Sequence, residues 1–399
     1  MTLGGSVTGA FSDKNAATGK SVTIRGHAIS GADAVNYNLI QQAGVTADIT
    51  KANLSVSGMT ASNRVYDAGV AASLSGTAVI TALSGDTVVL GGTATGTFAD
   101  KNAALAKGVT ISGHTISGAD AGNYNLMQQA GVTADITKAN LSVSGLSAAH
   151  KVYDTRLTAS LSGTAAVTAL AGDTVAIAGT ASATFADKNA ASGKGVTISG
   201  ITITGADAAN YNLIQQAGVT ANISKAKLNV TGLTVDDKVY DTYRSATLKG
   251  TAAVSALGTD GVSLKGTGIA LYDSKTAGAS KSVTVSGYSI TGADIANYTL
   301  VQPSGLSAKI SKADLAVSGV SAVNKTYDTN RVATLSGTAA ISAIGADTVT
   351  LSGVGNGLFA DKNAAVNKTI TVADYVISGA DSDNYNLIQP TGLTAQINK

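Results

Sequence analysis

Each Phe-Ala-Asp-Lys-Asn segment, at 98–102, 185–189 and 359–363 and as Phe-Ser-Asp-Lys-Asn at 11–15, sets a lysine between an aspartate and an asparagine. Those are the ingredients of an intramolecular isopeptide bond, in which a lysine amine attacks a side-chain carboxyl or carboxamide. The reaction needs the lysine buried beside an acid, and a solvated loop is the better home for so polar a run. Asp67, Asp86, Asp100 and Asp120, with loop carbonyls, offer oxygens of the kind calcium collects. No Asp-x-Asp-x-Asp loop or Gly-Gly-x-Gly-x-Asp nonapeptide occurs, and Tyr272-Asp273-Ser274-Lys275 breaks the pattern once. We therefore read these aspartates as turn formers, with calcium the one cofactor they could hold.

The histidines fare worse as catalysts. The chain repeats every 87 residues, and in that frame His27 and His114 share a position with Ile201, Tyr288 and Tyr375. His150 shares one with Asn63, Asp237 and Asn324, read as a variable surface turn. Positions that accept such different side chains do not suit a general base. No Ser-His-Asp set, zinc pattern or phosphate loop is present. The expectation is a protein that is not an enzyme.

The frame is set by Lys51, Lys138, Lys225, Lys312 and Lys399, spaced 87 residues apart without insertion or deletion. It gives a partial copy over 1–51 and four full copies over 52–138, 139–225, 226–312 and 313–399. Tyr-Asp recurs at Tyr66-Asp67, Tyr153-Asp154, Tyr240-Asp241 and Tyr327-Asp328. Gly-Ala-Asp-x-x-Asn-Tyr-x-Leu supplies Asp120 and Tyr124, Asp207 and Tyr211, Asp294 and Tyr298, and Asp381 and Tyr385. All are expected to be structural: the tyrosines as buried anchors with bonded hydroxyls, the aspartates as turn caps. A period this long exceeds those of solenoids and propellers, about 20–50 residues. It suits a small domain that closes its own core, so beads on a string is the expected picture. Met1 aligns with Val88 inside an apparent strand, as in a fragment of a longer repeat protein. The copy 1–51 should then be poorly packed or borrow an edge from a neighbour.

All 25 acidic residues are Asp, with no Glu, no Cys and no Trp, beside 46 Gly and 2 Pro. Asp favours turns where Glu favours helices, and with abundant Val, Thr, Ile and Ser this predicts strands joined by Asp/Asn/Gly turns. A net charge of +2 gives no basic face for nucleic acid, and no apolar run is long enough to insert in a membrane.

In the copy 52–138 the pattern predicts strands at Asn53–Ser57, ended by Gly58, and at Ala71–Leu74, stopped by Ser75-Gly76. Arg64–Asp67 is a short extended piece entering a turn. Further strands are expected from Thr87 to Phe98, as one bent strand of Val109-Thr110-Ile111 and Thr115-Ile116 flanking Ser112-Gly113-His114, around Tyr124–Leu126, and at Val132–Ile136. Thr77–Ser84 could be a short helix instead, which would fit a β-grasp rather than a β-sandwich. The fold class is mainly β: tandem small domains, sandwich or β-grasp-like. Ile136 to Val143 runs from one copy into the next with no Gly/Ser- or Pro-rich linker. Stiff coupling, and an elongated rod on the order of 150 Å for four copies, is the expectation.

Lys-Val-Tyr-Asp-Thr (151–155), Leu-Ser-Gly-Thr (161–164), Gly-Asp-Thr-Val (172–175), Phe-Ala-Asp-Lys-Asn (185–189), Gly-Ala-Asp-Ala-Ala-Asn-Tyr-Asn-Leu (205–213) and Ile-Ser-Lys (223–225) together resemble the bacterial YDG repeat. They are similar also to the MBG repeats of large filamentous-haemagglutinin-like adhesins. The namesake third position, usually Gly, is here Ala68, Thr155, Thr242 and Thr329. The resemblance implies an extracellular stalk on a Gram-negative cell surface, exported by two-partner secretion, with host or matrix glycans or proteins bound by other regions. The rival reading is an array of weak glycan- or self-binding repeats acting by avidity. Exposed in-phase tyrosines would favour the array, buried ones the stalk.

Overall fold

A computed structural model describes all residues, Met1–Lys399. The chain is almost all β, built of small β domains in tandem, and its helical pieces are three-residue 3-10 turns such as Ala121–Asn123. In the copy 52–138 the strands are β1 (Ala52–Ser55), β2 (Ser57–Ala61), β3 (Arg64–Val65), β4 (Ala71–Ala72), β5 (Leu74–Val79), β6 (Val89–Phe98), β7 (Ala104–Ser117), β8 (Tyr124–Met127) and β9 (Val132–Thr137). They form a five-stranded sheet in the order β3-β9-β7-β6-β4, an antiparallel pair β2–β5 and a parallel pair β1–β8. Within the large sheet only β3–β9 is parallel.

Alternation builds the core. Val109 and Ile111 on β7, Ala134 and Ile136 on β9 and Phe98 at the end of β6 are all buried, while the residues between them on β7 and β6 face outward. Period-two burial of this kind is what a half-buried sheet requires.

Two expectations about elements need correction. Gly58 and Gly76 do not stop strands; they lie inside the β2–β5 pair at φ +90° and +92°, Gly76 opposite Met59 and Gly58 where the ladder slips register. A Cβ at Gly58 would lie 2.3 Å from the Thr77 carbonyl oxygen, so glycine permits a kink within the strand. The bent strand expected around Ser112–His114 is found as β7, bent at Gly113 with φ +96°. The stretch Thr77–Ser84 is no helix. It completes β5 and then turns, so the helix of a β-grasp is missing.

The chain falls into two compact units, Met1–Ala148 with Ala159–Thr184 and Val196–Val219, and Ala149–Thr158 with Phe185–Gly195 and Thr220–Lys399. In the first, Tyr66, Phe98, Ile111 and Ile136 share one apolar cluster with Leu141 and Tyr211 of the following copy. In the second, Tyr240, Tyr272, Val285 and Ile310 share one with Leu315 and Tyr385 of the copy after theirs. This corrects the picture of beads that each close their own core: at these borders the core runs across. The partial copy is thinly packed, with Lys20 the one buried residue among 1–51. No helix is long and apolar enough to cross a membrane.

Candidate functional site at the repeat junction

The recurring motifs meet where one copy abuts the next. At the border between 52–138 and 139–225, the Tyr66 backbone N–H bonds to Thr137 O at the end of β9, which turns the ring toward the next copy. Its hydroxyl lies 2.8 Å from Asp173 Oδ2. Tyr211 donates to the same oxygen at 2.6 Å and accepts from the Leu170 N–H at 3.0 Å. The two rings meet edge to face, 5.5 Å apart at 81°. Lys101 completes the clasp, 2.6 Å from Asp173 and 2.8 Å from Asp207. Asn210 accepts from the Ala103 N–H at 2.9 Å and donates to Asn102 Oδ1 at 3.2 Å.

The same set recurs in the second unit. Tyr153 and Tyr298 converge on Asp260 at 2.6 and 2.8 Å, with Lys188 at 2.8 Å from it and Asp294 at 4.0 Å from Lys188. Tyr240 and Tyr385 converge on Asp347 at 2.6 and 2.8 Å, with Lys275 3.1 Å from Asp347 and 3.7 Å from Asp381. Asn297 and Asn384 bond the Ala190 and Ala277 N–H groups at 2.8 Å. Each carboxylate at the centre, Asp173, Asp260 or Asp347, is almost wholly enclosed.

Burial pushes each of these carboxyls up, but the lysine ammonium and two tyrosine hydroxyls outweigh it and hold all three below the usual carboxylate range. Burial and the adjacent carboxylate push Tyr211 and Tyr240 up to about 12, and burial foremost does the same for Tyr298. The hydrogen bonds that Lys101 and Lys188 donate to Asp173 and Asp260 raise both above the ordinary lysine value. This bears on the isopeptide idea. The lysine does lie beside acids, but they belong to the next copy and they hold it as an ammonium. Attack on a carboxyl needs the neutral amine, so the arrangement is an ion pair.

The first aspartates of the motifs do other work. Asp67, Asp154, Asp241 and Asp328 accept N–H bonds from Gly69, Arg156, Tyr243 and Asn330, closing the turn after each tyrosine. The basic residue three positions earlier pairs with them: Arg64, Lys151, Lys238 and Lys325, at 2.7–3.0 Å. Asp120, Asp207, Asp294 and Asp381 each accept the N–H of Thr87, Thr174, Gly261 and Thr348, tying the turn before β8 to the turn before β6. Of the four aspartates considered for calcium, Asp67 faces Arg64, Asp100 faces Lys107, and Asp86 and Asp120 share Lys14. Their charges are met by cations of the chain itself.

Of the Tyr-Asp tyrosines, Tyr66, Tyr153 and Tyr240 are buried and Tyr327 is 43% exposed. Sequence reasoning weighed Asp86 and its equivalents for calcium and the Phe-Ala-Asp-Lys-Asn lysines for an isopeptide bond. It missed that Asp173, Asp260 and Asp347 meet Lys101, Lys188 and Lys275 at the junctions, and that the asparagine before each second tyrosine bonds there too. All were in phase, but phase does not reveal which copy supplies a partner.

The histidine positions have a structural account. Gln128 brackets the backbone of His114, accepting its N–H at 3.2 Å and donating to its carbonyl at 2.8 Å. Gln41, Gln215, Gln302 and Gln389 do the same at His27, Ile201, Tyr288 and Tyr375, so the backbone is gripped and the side chain is free to vary. His150 Nδ1 accepts the Asn222 N–H at 2.9 Å, as Asn63, Asp237 and Asn324 accept those of Asp135, Lys309 and Gln396. That position demands an acceptor, which His, Asn and Asp all provide.

Repeated mainly-β domains, clasped copy to copy through side chains each contributes, define a tandem β-repeat protein. The chain belongs to the YDG domain family, which matches five times in a row, over 1–46, 50–133, 137–220, 224–305 and 311–393. No curated protein matches it.

Proposed function

We propose that this chain is a non-enzymatic spacer: the repeat region of a bacterial surface or secreted adhesin of the filamentous-haemagglutinin kind, holding a binding region away from a Gram-negative cell. The observation that carries the reading is the junction clasp. Its tyrosines, lysines and carboxylates are spent on holding one copy to the next, and Tyr66, Tyr153 and Tyr240 are buried rather than offered to a ligand. A spacer needs fixed joints more than a binding face. A chain without cysteine also suits an oxidising compartment.

The test is a screen of the full chain over immobilised glycans and matrix proteins, with and without calcium. The spacer reading predicts no saturable binding in either condition. Binding whose avidity grows with the number of copies would replace it with the multivalent array.

A further inference from the structure

The large sheets end on a short outer strand with a neighbour on one side only. β4 is that edge in the copy 52–138, and Ser245–Ala246 and Val332–Ala333 are its counterparts in 226–312 and 313–399. In 226–312 the Arg244 carbonyl faces inward and accepts the Tyr272 N–H at 2.7 Å. Alternation along the strand then turns the carbonyls of Tyr243 and Ser245 outward, where a strand of another chain could take them.

One side chain occupies both. Lys238 Nζ donates to Tyr243 O at 2.7 Å and to Ser245 O at 3.1 Å, while Asp241 takes the Tyr243 N–H at 2.9 Å. Lys325 does the same to Asn330 O and Val332 O, at 3.0 and 2.9 Å, and Asn330 Oδ1 accepts the Val332 N–H. Lys151 bonds the carbonyls of Arg156 and Thr158, and Arg64 those of Gly69 and Ala71. Each basic group lies 5.0–5.4 Å over the ring of Phe98, Phe185, Tyr272 or Phe359, and its side chain is only 15–18% exposed. The aspartate alone closes the turn; a cation set on two edge carbonyls in all four full copies has a further effect.

We propose that Arg64, Lys151, Lys238 and Lys325 are edge guards, which keep a second copy of this chain from adding a strand to the outer edge of each sheet. A second copy is the occupant to be kept out because every full copy carries the same short edge. Two chains side by side would offer each other several edges at once, and pairings too weak singly would add by avidity. The guard goes beyond the spacer reading and stands without it: it decides whether chains stay separate, whatever they carry.

The test replaces the three lysines together, Lys151→Met, Lys238→Met and Lys325→Met, which keeps an unbranched stem over each ring and removes the ammonium. A control, Lys138→Met, Lys225→Met and Lys312→Met, loses the same three charges at exposed lysines that touch no edge carbonyl. In sedimentation velocity the parent chain and the control should remain a single monomeric species as concentration rises. The first variant should shift to dimers and larger species, with the amides of 243–246 and 330–333 gaining protection from hydrogen exchange as it does so. Arginine at the same three positions, the arrangement Arg64 already shows, should behave as the parent. Lys238→Met with Lys325→Met, which leaves 52–225 intact, poses the same test on two edges should the triple variant fail to fold. Methionine variants that stay monomeric, a control that associates as readily, or association without protection of the edge amides would each overturn the proposal.

Discussion

At the scale of single residues, the junction hangs on an enclosed carboxylate with three donors. Removing one hydroxyl by Tyr66→Phe leaves Asp173 charged and short of a partner, a loss of about 1–3 kcal/mol. Protection of the amides around Thr137 and Asp173 in hydrogen exchange should drop accordingly, while the β2–β5 pair of the same copy keeps its own. The pH dependence follows from the shifted groups. Asp173, Asp260 and Asp347 titrate below their ordinary value of 3.8 when folded, so their contribution is present above that value and lost as pH falls through the folded ones. Tyr211, Tyr240 and Tyr298 titrate near 12 when folded against 10.0 unfolded. Their contribution is full below 10.0 and lost as pH rises through about 12. Near-ultraviolet circular dichroism, clean of tryptophan here, should stay level from about pH 5 to 9 and fall on both sides. A transition near neutral pH would contradict this assignment. That the tyrosines are anchors was legible in their phase. That their partners lie 107 residues away, one period and a further part of a copy, was not.

At the scale of elements, the departure from the family name acquires a physical meaning. The position after Tyr-Asp holds the left-handed conformation in every full copy: Ala68, Thr155, Thr242 and Thr329 have φ between 65° and 72°. That region favours glycine and is strained for a β-branched side chain. Thr242→Gly should therefore raise stability, by about 1 kcal/mol, read as a higher melting temperature. Thr242→Val should lower it. The strands themselves were largely readable from alternation and turn residues, as Val132–Thr137 shows. Where reading failed, as at Gly58 and Gly76, a glycine was taken for a terminator. The backbone there needs positive φ because two strands approach within a carbonyl's reach, and only the pairing reveals that.

At the scale of the whole molecule, the exact period announced a tandem array, but not which side chains join one copy to the next. Composition shows small and aliphatic cores, yet not that Leu141 and Tyr211 complete the core of the copy before them. The central claim is that the clasp holds adjacent copies in one fixed arrangement, as a spacer requires. The absence of cysteine allows two introduced labels to report alone. Spin labels at Ser75→Cys and Ser162→Cys, equivalent exposed sites in adjacent copies of the first unit, give the distance distribution between them. The account predicts a single narrow distribution that broadens on Asp173→Ala. A distribution already broad in the parent chain, or one unmoved by loss of Asp173, would contradict it.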